Sequence, residues 1–282
     1  MAERIRFGKP GQARAVLNPK EPNQLLRFEY DRGSNYEAET RITAAMAALI
    51  PESELHNADH RLFQVVHLVS EYMWCAMHYE LCRVCVALDE DDFGLASRLL
   101  SRTVGLAGVP VRCVRLLQDF LPQASFLRIR AVLLTNASGL DSPGSRNLRR
   151  ACKVLWRSFE AASDRHGITH QDLIEESGRE AGQTPGEWLG ALAAIQDRLH
   201  ALDCMIMEWN QLHLRLVRSH LGGHPAARAT AAPECGPEPV SLRGAPVNAL
   251  ERIAEHSLFP RLWQGVDETY ERIPRTALGS EA

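Results

Sequence analysis

His213 lies in the middle of residues 202–222, where apolar side chains recur at spacings of three and four residues. This period predicts one amphipathic helix that ends at Gly222 and carries His213 on its buried face. A buried imidazole needs a hydrogen-bond partner or a metal, so a core histidine and a metal ligand are both open interpretations. The residues that share the face are Leu202, Met205, Trp209, Leu212, Leu216 and Val217.

His67 lies in a second apolar stretch, residues 62–81, which also predicts a helix. Its helical face also carries Phe63, Glu71, Trp74 and His78. A di-metal centre in a helical bundle could use such a face, but it needs a Glu-x-x-His motif on each of two helices. The residue three positions after Glu71 is Trp74, so this motif is missing.

Arg130 stands among apolar residues in the stretch 126–134, just before a polar loop at residues 136–144. A guanidinium there suits bidentate recognition of a carboxylate. An arginine that extends from an apolar stem into solvent is an equally good interpretation. We interpret the basic residues of the next helix as a solvated face: Arg146, Arg149, Arg150 and Lys153.

Helices must position these side chains, because the chain after residue 36 shows helical periodicity and no convincing strand. Breaks are expected at residues 105–110, at Pro122 and in the loop 136–144. Residues 223–245 are rich in proline and glycine and could act as a lid beside the preceding helix. The predicted helices cover residues 37–50, 57–88, 91–104, 106–121, 144–165, 168–175, 185–221, 246–256 and 258–270.

The 282 residues are expected to form three parts. Residues 1–36 have little periodicity and predict an extended arm, and residues 271–282 predict a C-terminal tail. Residues 37–270 predict a single all-helical domain, because a chain with 45% hydrophobic residues can bury one large core.

Composition excludes several classes of partner. A formal net charge of -3 gives no electrostatic reason for binding nucleic acid. Residues 1–10 lack the apolar core of a signal peptide, and no apolar run is long enough to cross a membrane. Most of the seven cysteines stand among apolar residues, as reduced thiols do. We expect a cytoplasmic protein with no membrane partner.

Five segments combine into a wider pattern. The two helices with histidine contribute His67, Glu71, Glu80 and Leu81, and Trp209, His213, Val217, Arg218 and Gly222. The region between them contributes Phe126, Arg130, residues 137–139, Ser142 and Arg146. Near the two ends stand Gly33, Ser34, Asn35 and Tyr36, and the segment Leu258 to Trp263.

At these offsets the chain resembles the tryptophan 2,3-dioxygenase superfamily, all-helical haem enzymes that oxidise aromatic amino acids. The family motifs are H-Q-x-x-E-L-W with a later E-L, F-x-x-F-R with A-S-G-F-Q-S and R, W-R-x-x-H-x-x-M-V-x-R-x-x-G, Y-G-N-Y and L-F-P-x-L-W. The resemblance covers roughly residues 30–265. It implies a helical bundle of the tryptophan/indoleamine 2,3-dioxygenase type with an extended N-terminal arm, assembled as a dimer or tetramer.

The resemblance also implies a cofactor, haem b. His213 would be the axial ligand of the haem iron, and Trp209 would contact the cofactor from the same helix. Ser138 would line the pocket near the haem edge. The oxidant would be dioxygen or hydrogen peroxide.

The same resemblance implies how an aromatic amino acid would be held. His67 would be the catalytic base beside the indole nitrogen, and Phe63 would flank the ring. Arg130 would bind the carboxylate, and Ser138 would also face the substrate. Tyr36 would close the site from the arm of the same or a neighbouring subunit.

Three departures from the family pattern predict a specialised enzyme. Residues 223–244 replace the family's G-T-G-G-S-S-G loop, Gly33 replaces the first tyrosine of the arm, and Leu68 replaces the glutamine after the histidine. We therefore expect an oxygenase that inserts oxygen into the ring of tryptophan or a substituted tryptophan in a natural-product pathway. The alternatives are a haem-dependent tyrosine hydroxylase, a ring-cleaving tryptophan 2,3-dioxygenase and a non-catalytic haem-binding protein.

Overall fold

The computed structural model describes residues 14–16, 29–31, 33–134, 139, 142–177, 186–229, 239–242, 244, 246–247 and 249–272. Helices dominate these residues, which confirms the predicted all-α class. Within these ranges no helix has the length and apolar character needed to cross a membrane. The helices are α1 Asn35–Thr40, α2 Ile42–Ala47, α3 His60–Asp89, α4 Phe93–Phe120, α5 Gln123–Val132, α6 Pro143–Arg165, α7 His170–Ser177, α8 Glu187–Leu221, α9 Pro225–Ala229, α10 Ala249–Ala254 and α11 Pro260–Arg272.

The chain divides into two compact units, residues 1–65 and residues 66–282, and the boundary lies inside α3. The first unit contains a short ribbon in which β1 (Arg14–Val16) pairs antiparallel with β2 (Glu29–Asp31). The sequence predicts only an extended arm for these residues and does not indicate that two of its segments pair. Strands of three residues are too short for an alternating pattern to be visible in the sequence.

Within the first unit, two polar side chains attach the segment before α3 to the first turns of that helix. Arg61 donates to the carbonyl oxygen of Ile50 and to Oε1 of Gln64, at 2.8 Å for the second bond. The amide nitrogen of Gln64 donates to the carbonyl oxygen of Ala48 at 3.1 Å. Earlier in this unit, Ser34 caps α1, because its hydroxyl accepts the backbone N–H of Glu37 at 3.1 Å.

The core of the second unit lies between α3, α4, α6 and α8, and α4 packs along α8. Helix α3 buries a stripe with helical spacing, formed by Val66, Trp74, Met77, Leu81, Val84 and Leu88. Helix α6 contributes Leu148, Cys152, Leu155 and Phe159, and α8 contributes Leu192, Ile195, Leu199, Leu202 and Ile206.

Helix α4 corrects a predicted break. The sequence predicts a turn at residues 105–110, whereas α4 is continuous through this region and contains Pro110. Proline removes one helical hydrogen bond, but Pro110 is buried beside Ala107 and Val111, which are 0% and 3% exposed. Tertiary packing therefore outweighs the local preference for a break. Helix α5 was not among the predicted helices either, although the apolar stretch 126–134 lies partly within it.

A buried carboxylate anchors the segment that leads into α11. Asp203 on α8 is completely buried and accepts the backbone N–H of Leu258 at 2.8 Å and that of Phe259 at 3.2 Å. It also accepts the indole N–H of Trp263 at 3.0 Å and the hydroxyl of Ser257. The L-F-P-x-L-W segment is therefore held by its backbone and by its tryptophan.

The predicted lid, residues 223–245, is described only in part. Residues 225–229 form α9, and Val240 pairs with Pro246 in an isolated β-bridge. Residues 230–238, 243 and 245 lie outside the described residues, as do residues 273–282 of the predicted C-terminal tail. A lid function for this segment remains a prediction.

Candidate functional site

His213 lies on α8 one turn after Trp209, and the two rings are stacked. Their planes differ by 1° and their centroids are 5.3 Å apart. Trp74 of α3 in turn meets Trp209 edge to face, at 5.5 Å between centroids. Because Trp74 is buried in the core, the two tryptophans tie the orientation of His213 to α3.

His220, seven residues later on α8, shows what a hydrogen-bonded core histidine looks like in this chain. Its Nε2 lies 2.8 Å from the carbonyl oxygen of Leu121, and its Nδ1 lies 2.9 Å from the carbonyl oxygen of Leu216. His213 differs, because no hydrogen bond of its ring nitrogens is found among the described residues. Its nitrogens are therefore available to a group that is not part of the described protein.

The environment of His213 favours the neutral ring. Burial lowers the pKa of His213 to about 4, and the charge of His67 lowers it further in the same direction. Removing an imidazole from water penalises its protonated form. At neutral pH His213 therefore carries a free electron pair, as a metal ligand must.

Gly139 approaches the ring of His213 closely. A Cβ atom at this position would lie 3.1 Å from Nε2 and 3.5 Å from Cε1 of His213, closer than most such contacts. Gly139 belongs to the Ala-Ser-Gly segment that the sequence analysis placed at the site. Ser138, the predicted pocket residue beside it, lies outside the described residues.

The start of α6 is fixed to α3 next to this site. Glu71 accepts the backbone N–H of Gly144 at 3.0 Å and also accepts the hydroxyl of Ser142. The Ser142 hydroxyl caps α6 by accepting the N–H of Ser145 at 3.1 Å. A Cβ on Gly144 would lie 2.5 Å from Cβ of Trp74, so only glycine permits this approach.

His67 is exposed, although the helical spacing of the sequence places it on the same face as Trp74, which is buried. The buried stripe of α3 runs through Val66 and Trp74, so His67 and His78 lie to its side and both are exposed. His67 is nevertheless close enough to His213 for its charge to lower the pKa of His213. The structure thus brings the two histidines from different helices into electrostatic range.

Arg130 lies in the last turn of α5 and is half-buried. Its guanidinium donates to the carbonyl oxygen of Val240 at 2.7 Å. It is not among the residues that line the cleft at His213. Its assignment to a substrate carboxylate stays a prediction.

The cleft at His213 contains cations that the sequence analysis assigned to a solvated face. Arg150 and Lys153 are exposed, as expected, but Arg146 and Arg149 line the cleft. Helical spacing from His213 could have identified Asn210, which is three residues earlier and also lines the cleft. The described residues that line the cleft are Gly139, Ser145, Arg146, Arg149, Trp209, Asn210, His213, Leu250 and Ile253.

Tyr36 and Phe63 belong to the first unit. Tyr36 is the second residue of α1 and is 68% exposed. Phe63 lies in the first turn of α3, where its ring is 6.5 Å from that of His60. Their assignment to a substrate ring stays a prediction.

Comparison with known proteins assigns no family to the chain. It matches none of the models of known protein families and none of the curated proteins. A functional proposal therefore depends on the motifs of the chain and on the geometry of its cleft.

A metal ion held by protein alone and a haem iron make different demands on the side chains of a site. Among the described residues, no group of three or more His, Cys, Asp or Glu side chains could hold a metal ion. Haem iron needs fewer protein ligands, because the macrocycle supplies four nitrogens, and neutral His213 is a suitable axial ligand. The contact between Gly139 and the His213 ring means that Gly139 must move away before a macrocycle can lie against Nε2.

Proposed function

We propose that this protein is a haem-dependent oxygenase that inserts oxygen from dioxygen or peroxide into the aromatic ring of tryptophan or a substituted tryptophan. The observation that carries the proposal is His213, a neutral histidine in a cleft with no hydrogen-bond partner among the described residues. The family resemblance supplies the chemistry that such a histidine would serve.

His213 would bind the iron of haem b, and Trp209 would hold the imidazole plane in place by stacking. When bound, the haem would supply the activation of the oxidant, which side chains alone cannot provide. The role of the protein would be to fix the orientation of the axial histidine, His213, and of the substrate. Ser138, at the segment that reaches His213 through Gly139, would contact the edge of the macrocycle.

On the substrate side, His67 would act as the base that accepts a hydrogen bond from the indole N–H. Arg130 would bind the amino-acid carboxylate, and Phe63 and Tyr36 would enclose the ring. Holding both ends of the substrate keeps the reacting carbon in place, which raises the rate by positioning. Departures at Gly33, Leu68 and residues 223–244 favour a specialised pathway over general tryptophan catabolism.

The proposal includes the bundle type, the assembly and the location. We propose a bundle of the tryptophan/indoleamine 2,3-dioxygenase type that forms a homodimer or tetramer in the cytoplasm. These parts rest on the resemblance and on the absence of a membrane-crossing helix among the described residues.

The test is reconstitution with hemin followed by product analysis. Wild-type protein should develop a Soret band, His213→Ala should lose it, and His78→Ala, an exposed histidine of α3, should keep it. Reduced protein with oxygen and a panel of indole and phenol amino acids should then give a product of increased mass. One added oxygen atom indicates a monooxygenase and two indicate ring cleavage. A Soret band without any product favours the non-catalytic haem-binding protein, and no Soret band refutes the haem proposal.

A further inference from the structure

Some of the hydrogen-bond donors in the cleft beside His213 have no acceptor among the described residues. Arg149 of α6 is half-buried and has no acidic partner among the described residues. Among the described residues that line the cleft, none is acidic. A guanidinium in such a place remains available for an anion that comes from outside the chain.

Asn210 supplies a second, independent observation. It is 4% exposed and lines the cleft, and its amide has no hydrogen-bond partner among the described residues. Next to it, Nε1 of Trp209 is buried and also lacks a partner in that part of the chain. Buried polar groups without partners cost free energy, and they are rare unless a ligand or water satisfies them.

The chemistry of these groups selects an acceptor. Arg149 and Trp209 have only donors, and the amide of Asn210 has two donors on its nitrogen. A carboxylate accepts several hydrogen bonds in a plane and matches the fork of a guanidinium. Two apolar residues of α10, Leu250 and Ile253, also line the cleft, which suits a carboxylate attached to an apolar body.

We propose that Arg149, Asn210 and Trp209 form a carboxylate-binding subsite beside His213. This inference rests on the proposed function where it names the source of the carboxylate. One source is a propionate of haem, and the other is the carboxylate of an aromatic amino acid. In the second case Arg149, and not Arg130, binds that group.

The experiment compares Arg149→Gln with Arg150→Gln, the neighbouring arginine that is exposed and does not line the cleft. Each protein is titrated with hemin and with hemin dimethyl ester, followed by Soret absorbance. Hemin-loaded proteins are then titrated with tryptophan and with tryptamine, which lacks the carboxylate. Circular dichroism checks that each variant is folded. If Arg149→Gln does not fold, Arg149→Lys, which keeps the charge, takes its place.

Two results support the subsite and distinguish the sources. If Arg149→Gln weakens hemin binding by about tenfold or more but leaves the dimethyl ester unchanged, the subsite binds a propionate. If it leaves hemin unchanged and weakens tryptophan but not tryptamine, the subsite binds the amino acid. Equal affinities of the Arg149 and Arg150 variants for all four ligands overturn the proposal.

A haem-free arm separates this inference from the proposed function. If wild-type protein binds no hemin, the oxygenase proposal fails, and the subsite is tested with indole-3-propionate on the ligand-free protein by calorimetry. Weaker binding by Arg149→Gln than by Arg150→Gln supports the subsite. Absence of binding to the wild type, or equal binding by the two variants, refutes it.

Discussion

The rings of Trp209 and His213 are parallel to within 1°, with 5.3 Å between their centroids. The stack restricts rotation of the imidazole, and Trp209 is itself held by its edge contact with Trp74. A histidine that is already oriented loses less freedom when it binds a ligand.

If His213 binds haem as proposed, replacing Trp209 should weaken haem binding although the histidine ligand is still present. We expect Trp209→Leu to lower hemin affinity more than Trp209→Phe, because phenylalanine keeps a ring against the imidazole. Soret titration of the two variants measures the difference. Equal losses in both variants would mean that stacking does not orient His213.

The pKa of His213 predicts a stability that depends on pH. Its pKa is about 4 in the folded protein, whereas a histidine in an unfolded chain titrates near 6.5. As pH falls from about 7 to 4, the unfolded state gains a proton that the folded state does not, so the folded state loses stability. Between those pH values, wild-type protein should lose at most about 3 kcal/mol more than His213→Gln.

Urea unfolding of both proteins at several pH values tests this prediction. The difference between them should stop growing below about pH 4, where the folded protein also takes up the proton. Parallel stability curves for wild type and His213→Gln would show that His213 titrates normally.

Gly144 should not tolerate a methyl group. A Cβ there would lie 2.5 Å from Cβ of Trp74 and 2.7 Å from Oε2 of Glu71, so α6 would have to shift. We expect Gly144→Ala to cost about 1–3 kcal/mol of unfolding free energy. Gly105→Ala is the control, because no atom lies within 4 Å of its Cβ position, and it should stabilise α4 by about 0.5–1 kcal/mol. Thermal unfolding of both variants checks that Gly144→Ala destabilises the protein and that Gly105→Ala stabilises it.

Asp203 should be essential for the attachment of α11. Asp203→Asn places amide hydrogens against several donors, so we expect a loss of about 3 kcal/mol in unfolding free energy and faster proteolysis near residues 257–263. Asp197→Asn, on the exposed side of the same helix, should change neither quantity. Limited proteolysis with mass mapping locates the opened segment, and resistance equal to the wild type would contradict the anchoring role.

Replacing Arg130 tests whether it binds the substrate carboxylate, as the family resemblance implies. If it binds that group, Arg130→Ala should weaken tryptophan binding by about tenfold and leave the Soret band unchanged. Arg128→Ala, an exposed arginine of the same helix, is the control. Unchanged tryptophan affinity in Arg130→Ala would leave its hydrogen bond to Val240 as its role in the structure.

Long helices are predicted well from the sequence where apolar residues recur at helical spacing and a helix-ending residue follows them. Helix α8 was expected over residues 185–221 and spans Glu187–Leu221, because Gly222 provides an unambiguous end with φ at 90°. Helix α4 was wrongly divided, because the burial of Pro110 depends on neighbouring helices that no local pattern reveals.

The candidate site was predicted unevenly for a similar reason. His213 could be placed from periodicity, and its neighbour Trp209 followed from the same face. The exposure of His67 depends on which side of α3 faces α8, and two adjacent faces of that helix both carry apolar residues. The cleft position of Arg149 depends on how α6 crosses α8, which charge patterning does not specify.

The hydrogen bond between Ser142 and Glu71 limits how far Gly139 can move from the ring of His213. Gly139 precedes Ser142 by three residues, and three Cα steps span about 11 Å at most. Any movement of Gly139 away from the imidazole is therefore limited by Ser142, the N-cap residue of α6. The carbonyl oxygen of Gly139 also accepts the backbone N–H of Ser142 at 3.3 Å, so the position of Gly139 beside Nε2 is coupled to the start of α6.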